Sequence, residues 1–298
     1  MSLVSYLVRR TFKKGDLKRD AGLTIPGDVT VSEGIAYGPD PVWQSLEICR
    51  PKGSAETALP VIVSVHGGGW VYGDRQLYRH YCADLARRGF AVVNFSYRLA
   101  PEHRFPACLE DTCAVFRFVS EHAREHSLDP DTVFAVGDSA GAHLLSLFTA
   151  MCADPSYAAG YPFSPPKGFM PRAVALNCGA YRIAVKKRAD LTAFLMRDLL
   201  PGRGRDPEEL RQIDALSHVC PGSPPAFIMT AEKDFLRDQA LPMAEALEKA
   251  GTSVTFRDCR DDKKELAHVF HLDIREENAR RLNDEECAFF RSFLTRPS

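Results

Sequence analysis

From Pro60 onward, short apolar runs alternate with amphipathic stretches, and few architectures accept that order. The runs Pro60–Val65, Ala91–Phe95, Val133–Val136, Ala173–Leu176 and Ala226–Met229 are rich in β-branched residues. The stretches Leu77–Arg88, Cys108–His126, Ala140–Cys152 and Leu241–Ala250 carry apolar residues at three- and four-residue intervals. Strands alternating with helices predict a mostly parallel sheet covered by helices on both faces. Two of the runs, PVIVSV at 60–65 and VFAV at 133–136, are near-continuous rather than alternating. Strands buried on both faces look like that, so these two are expected at the centre of the sheet. Val29–Ile35, Leu46–Cys49 and Val254–Phe256 bring the candidate strands to eight.

Two segments break the pattern: residues 1 to about 28, and about 181 to 219, with its polar tract PGRGRDPEELRQ. Neither resembles a core βα unit, and both are expected to form a small helical cap on a single domain of residues 1–298. Length alone would also admit two smaller domains.

Charge narrows the partners. Lys plus Arg total 38 against 39 Asp plus Glu, a formal charge of -1, so no global field draws the protein to nucleic acid or anionic lipid. A small neutral or weakly charged substrate fits better. In MSLVSYLVRRTFKK an apolar run precedes the basic residues, the reverse of a secretory signal, and no apolar stretch reaches membrane-spanning length. Leu3, Tyr6 and Leu7 at helical spacing before Arg9, Arg10, Lys13 and Lys14 suit either a helix packed on the protein body or a surface-seeking basic helix. The nine cysteines are odd in number, scattered and never spaced as CxxC, which suits reduced core thiols and a cytoplasmic location.

Chemistry enters with Gly137-Asp138-Ser139-Ala140-Gly141, which follows an apolar run and precedes a helical stretch. In that context G-x-S-x-G predicts a nucleophile elbow. A sharp strand-to-helix turn crowds the backbone around the serine, so glycines flank it and Ser139 is left exposed. The turn also sets the Ala140 N–H at a helix N-terminus, where developing negative charge is stabilised. His66-Gly67-Gly68-Gly69-Trp70 follows the run Pro60–Val65, so it belongs at the carboxyl end of a neighbouring strand. Its glycines let backbone N–H groups approach a substrate oxygen, the pattern that completes an oxyanion hole in lipases and esterases.

HGGGW at 66–70, YRLAPEHRFPA at 97–107 with Asp111 after it, GDSAG at 137–141 and TAEKDFLRD at 230–238 resemble the hormone-sensitive-lipase-like family of carboxylesterases. The likeness runs from about Leu46 to Leu294. It implies an α/β-hydrolase fold, with a mostly parallel eight-stranded sheet, flanking helices and a cap. It also implies an acid in a D-x-L-x-D segment whose first aspartate matches Asp234. The position of Asp234 just past the run Ala226–Met229 points the same way, and Asp238 is expected to cap the following helix. Chain order in this fold puts the histidine last, leaving His268 and His271. His268-Val269-Phe270 is similar to the family's H-G-F, which implies His268; the missing glycine and the charged stretch 261–265 leave the shape of that loop open.

The resemblance therefore implies a triad of Ser139, Asp234 and His268, with Gly68 and Gly69, rather than Gly67, joining Ala140 in the oxyanion hole. Trp70 and Tyr72 follow directly and are candidates for a substrate wall or for aromatics packed beneath the cap. Arg98, His103 and Arg104 are expected to brace the loop under the site. His80, His122, His126 and His143 lack partners at metal-ligand spacing, so they are read as surface or packing residues and no metal site or cofactor is expected. The reaction expected is hydrolysis of short-chain acyl esters, acetyl to butyryl, by a monomer or homodimer. Removal of O-acetyl groups from sugars and amide or formamide hydrolysis would use the same machinery. A non-catalytic binding protein would have no reason to keep all of these groups.

Overall fold

In the computed structural model, residues 2–184 and 191–294 are described. Among them an eight-stranded sheet runs in the order β1-β2-β4-β3-β5-β6-β7-β8. The strands are β1 (Val29–Ala36), β2 (Ser45–Pro51), β3 (Leu59–Val65), β4 (Ala91–Phe95), β5 (Leu128–Asp138), β6 (Val174–Asn177), β7 (Ala226–Ala231) and β8 (Val254–Cys259). β2 pairs antiparallel with both β1 and β4, and every other pairing is parallel. This is the α/β-hydrolase architecture expected from the sequence.

Why the runs are continuous rather than alternating is visible in the packing. Val61, Val63 and Val65 enter one apolar cluster, with Phe116, Leu144, Phe148 and Met243. Ile62 points the other way, into a second cluster with Leu85, Phe90 and Phe290. Successive side chains of a strand face opposite sides of a sheet, so a strand covered on both faces needs apolar residues at every position. The covering helices are α1 (Leu3–Asp20), α2 (Arg75–Ala86), α3 (Ala107–Glu121), α4 (Ala140–Ala153), α5 (Pro155–Ala158), α6 (Leu191–Leu199), α7 (Pro207–Gln212), α8 (Arg237–Lys249) and α9 (Glu277–Arg291). The last was not among the expected helices, although its apolar residues Leu282, Cys287 and Phe290 are buried.

Of the two irregular segments, residues 2–28 form α1 and a connection to β1. The tract 181–219 forms α6, α7 and a 3-10 turn at Ala215–His218, except for 185–190, which lie outside the described residues. α1 packs against α6. Hydrogen bonds to distant parts of the chain hold α1 down. Arg9 donates to the carbonyls of Val71 (2.6 Å) and Ala100 (2.8 Å) and pairs with Glu102. Arg19 donates to the carbonyl of Leu77, and the Ser2 N–H to Asp198. No described helix is long and apolar enough to cross a membrane.

Candidate active site

Because β3 to β8 run parallel, their carboxyl ends share one edge of the sheet, and the residues singled out above come from four of the loops there. Ser139 sits between β5 and α4 with φ 52° and ψ -115°, a conformation rare for a side-chain-bearing residue. The turn is held by its N–H donating to the carbonyl of Asn177 and by its own carbonyl accepting from Ala180 and His143. Both flanking glycines are obligatory for space. A Cβ on Gly141 would lie 1.9 Å from the Val65 carbonyl oxygen, and one on Gly137 would lie 2.7 Å from the Gly141 backbone.

The glycine loop after β3 is equally tight. Gly68 has φ 110°, and a Cβ there would meet the Tyr72 carbonyl oxygen at 2.1 Å, while that same turn sends the Val71 and Tyr72 N–H groups to the Gly68 carbonyl. The Gly67 N–H is already committed, donating to the Tyr78 hydroxyl at 2.9 Å, which in turn donates to Asp138 at 2.9 Å. Among the described residues the N–H groups of Gly68, Gly69 and Ala140 have no protein acceptor. This gives a physical reason, beyond resemblance, for setting Gly67 apart from the other two. Burial pushes the Asp138 carboxyl up to about 7, the Tyr78 hydrogen bond opposing it. His66 beneath the loop is pushed down to about 4 by burial, so its neutral ring stacks on Tyr97 at 4.0 Å and donates from Nδ1 to the Gly67 carbonyl.

Asp234 lies past β7 and His268 past β8, and their side chains meet at 2.6 Å between Oδ1 and Nδ1. Asp234 also accepts from the Leu236 N–H and, at Oδ2, from the Thr230 hydroxyl. Burial would raise this carboxyl, but the His268 hydrogen bond and charge, with those two donors, outweigh it and hold it below the ordinary carboxylate range. Asp238, by contrast, does not cap α8. The N-cap position is Leu236, no side chain caps the helix, and Asp238 lies in its first turn facing the cavity. The turn into the helix is made by Asp234 instead, through the Leu236 N–H.

The histidine loop departs from H-G-F as the sequence does. Val269 holds the left-handed conformation, φ 53° and ψ 33°, where a glycine would be unstrained. The loop is tied to β7 by Lys233 N–H to the Leu266 carbonyl, Leu266 N–H to Glu232, and a Lys233–Glu265 ion pair. His271 is fully buried against Tyr81, and burial pushes it down to about 3. It is not among the residues that line the cavity with Ser139 and His268.

That cavity has a volume of about 720 Å³. Gly68, Gly69, Trp70, Tyr72, Ser139, Ala140, Asp238 and His268 line it together with Val8 and Phe12 of α1 and Leu191 and Leu195 of α6. Trp70 contributes little surface: it is 4% exposed and donates from its indole to His143 Nδ1 at 3.1 Å, while His143 Nε2 donates to the Ile213 carbonyl. Tyr72 is half-buried, bonds Asp16 of α1 at 2.7 Å and meets Phe12 edge-on. The predicted bracing appears for the two arginines but not for His103, whose ring meets Trp43 edge-on and, among the described residues, makes no side-chain hydrogen bond. Arg98 forks onto Asp111, and Arg104 donates to the carbonyls of Arg197 and Leu200. One residue was read only as a core thiol: Cys178, just past β6, is brought beside Asp234 and His268.

A family model described as the α/β hydrolase fold matches residues 62–272. Carboxylic ester hydrolase LipN of Mycobacterium tuberculosis is 33% identical over 217 residues, 70% of this chain and 57% of that protein. An acetyl-hydrolase of Streptomyces hygroscopicus is 31% identical, covering 70% of this chain and 68% of its own length. Thus the chain spans less than two thirds of LipN. Among solved structures, esterase B from Lactobacillus rhamnosis aligns with a TM-score of 0.87 at 26% identity, over 98% of this chain and 97% of that one.

Proposed function

The chain belongs to the hormone-sensitive-lipase-like family of the α/β-hydrolase fold, and on that premise we propose that it is a serine carboxylesterase acting on short-chain acyl esters. The observation that carries this reading is one cavity lined by a half-buried serine in a positive-φ turn, by a histidine bonded to a buried carboxylate, and by backbone N–H groups lacking acceptors.

In this mechanism Ser139 attacks the ester carbonyl while His268 Nε2 takes its proton. Asp234 keeps the ring in the tautomer that leaves Nε2 free and stabilises the imidazolium that forms. The N–H groups of Gly68, Gly69 and Ala140 hold the oxyanion, and His268 returns the proton to the departing alcohol. Water then repeats the sequence on the acyl-enzyme. No cofactor is called for.

Short acyl chains and a polar alcohol suit the walls. Apolar Val8, Phe12, Leu191 and Leu195 alternate with Thr11, Asp16, Thr192, Asp238 and Gln239. Each methylene buried is worth only about 0.8 kcal/mol even when wholly enclosed, so a wall broken by polar groups gives long chains little advantage. One relative is named an acetyl-hydrolase, and a structure of esterase B involves a C4-C4 tributyrin phosphonate. We expect kcat/KM on nitrophenyl esters of two to twelve carbons to be highest between acetyl and butyryl. A maximum at eight carbons or more would overturn the chain-length reading, and absence of turnover across the series would overturn the esterase reading itself. Crossing that series with acetylated sugars and matched amides separates the ester, sugar-deacetylase and amidase forms of the reaction.

A further inference from the structure

We propose that Cys178, Asp234 and His268 form a binding site for a thiophilic divalent cation, Zn²⁺ foremost, and that its occupation shuts off hydrolysis. The inhibitory half rests on the triad reading above; the binding half does not.

One ligand atom from each of the three residues lies within 4.8 Å of the other two. Zinc bonds of about 2.3 Å to sulfur and about 2.0 Å to nitrogen or oxygen need donors roughly 3–4 Å apart, so His268 Nδ1 and Asp234 Oδ1, now 2.6 Å apart, must spread by somewhat under an ångström to admit the ion. Cys178 follows β6 in a left-handed conformation, φ 47°, with its side chain fully buried beneath the histidine loop. Its sulfur accepts the Val269 N–H at 3.5 Å and lies 3.8 Å from the Met229 thioether. A thiol, an imidazole and a carboxylate beside a second sulfur favour zinc or cadmium over magnesium or calcium, which demand oxygen donors. Of the three residues His268 alone lines the cavity, its side chain 18% exposed, so an ion entering from the cavity must pass that ring.

The exchange balances without electron transfer. The ion takes the place of the proton between His268 Nδ1 and Asp234, and the Cys178 thiol loses its proton to water as the metal–sulfur bond forms. The displaced Nδ1 proton moves to Nε2, so the imidazole stays neutral. Two negative ligands then neutralise the dication, which limits the penalty of holding it in a buried place. With Nε2 protonated and Nδ1 ligated, His268 has no lone pair left for the proton of Ser139.

The test uses the full chain, freed of metal by a chelator. Turnover is measured against Zn²⁺ for wild type, Cys178→Ser and Cys178→Ala, each relative to its own metal-free rate. Direct binding is read from the ultraviolet cadmium–thiolate band as wild type minus variant, which removes the other cysteines. We expect Zn²⁺ to abolish wild-type turnover reversibly, Mg²⁺ and Ca²⁺ to have no effect, and the half-inhibiting Zn²⁺ concentration to rise at least tenfold in the variants, the low end for disturbing a metal site. A cadmium band that His268→Ala weakens is also expected. Equal Zn²⁺ sensitivity in wild type and both variants, or no difference band, would overturn the proposal. Absence of turnover before any metal is added would fail the esterase reading instead, leaving the cadmium measurement to decide binding.

Discussion

Asp234 and Asp238 stand four residues apart, the first buried behind His268 and the second lining the cavity, and their surroundings set them different tasks. Asp234 accepts from His268, Leu236 and Thr230, whereas Asp238 makes none of these contacts. Asp234→Asn keeps the shape but turns the imidazole toward the wrong tautomer, so kcat should fall on the order of ten-thousand-fold. Asp238→Asn should stay within a few-fold of wild type. Steady-state kinetics on the two folded variants decide this, and similar losses would reassign the acid. Because the Asp234 carboxyl is held below its usual 3.8, the stability it confers is in force above that pH and is lost as acidity carries the solution down through the folded value. The sequence pointed to Asp234 and His268 through motif and chain order. It gave no sign of Cys178, because only the adjacency of β6 and β7 carries a residue 90 positions upstream to the side of His268. Nor did the expected cap role of Asp238 survive, since the turn before α8 uses the carboxylate of Asp234.

At the scale of elements, the strands were legible because burial on both faces writes itself as continuous apolar runs, as in β3 and β5. The elbow was legible for a related reason: Gly137 and Gly141 sit where no Cβ has room. What α1 does was not legible. Its periodicity announces a helix, but the side it presents to the cavity depends on Arg9, Asp16 and Arg19 finding partners far away in the chain, on the glycine loop and on α2. α1 supplies wall and no reacting atom, so loosening it should affect binding before chemistry. Arg9→Ala removes the hydrogen bonds to Val71 and Ala100 and the pairing with Glu102. It should raise KM several-fold with kcat changed less than twofold. An equal fall in kcat and kcat/KM would instead place α1 in the transition-state machinery.

Across the whole molecule, two buried carboxyls, Asp138 and Glu286, make stability depend on pH in a direction opposite to Asp234. Glu286 of α9 is fully buried, and burial pushes it from 4.5 to about 7, partly opposed by hydrogen bonds from Asn177 and Tyr81. Its folded form holds a proton more tightly than the unfolded chain. The resulting stability is complete below about 4.5, declines as pH rises and is gone above about 7. Glu286→Gln cannot ionise, so relative to wild type it should gain on the order of 3 kcal/mol between pH 4.5 and pH 8. Denaturant midpoints at those two pH values test this, and parallel pH profiles for the two proteins would refute it. The central claim, that the sheet edge presents Ser139 as a nucleophile, is tested most directly by one paired measurement. Wild type and Ser139→Ala are treated with a fluorophosphonate, the labelled residue is mapped by mass spectrometry, and ester turnover is followed in the same samples. We predict a single adduct on Ser139, none on the folded variant, and a loss of kcat on the order of a million-fold. An adduct on another residue, or a folded Ser139→Ala protein retaining more than a few per cent of wild-type turnover, would contradict it.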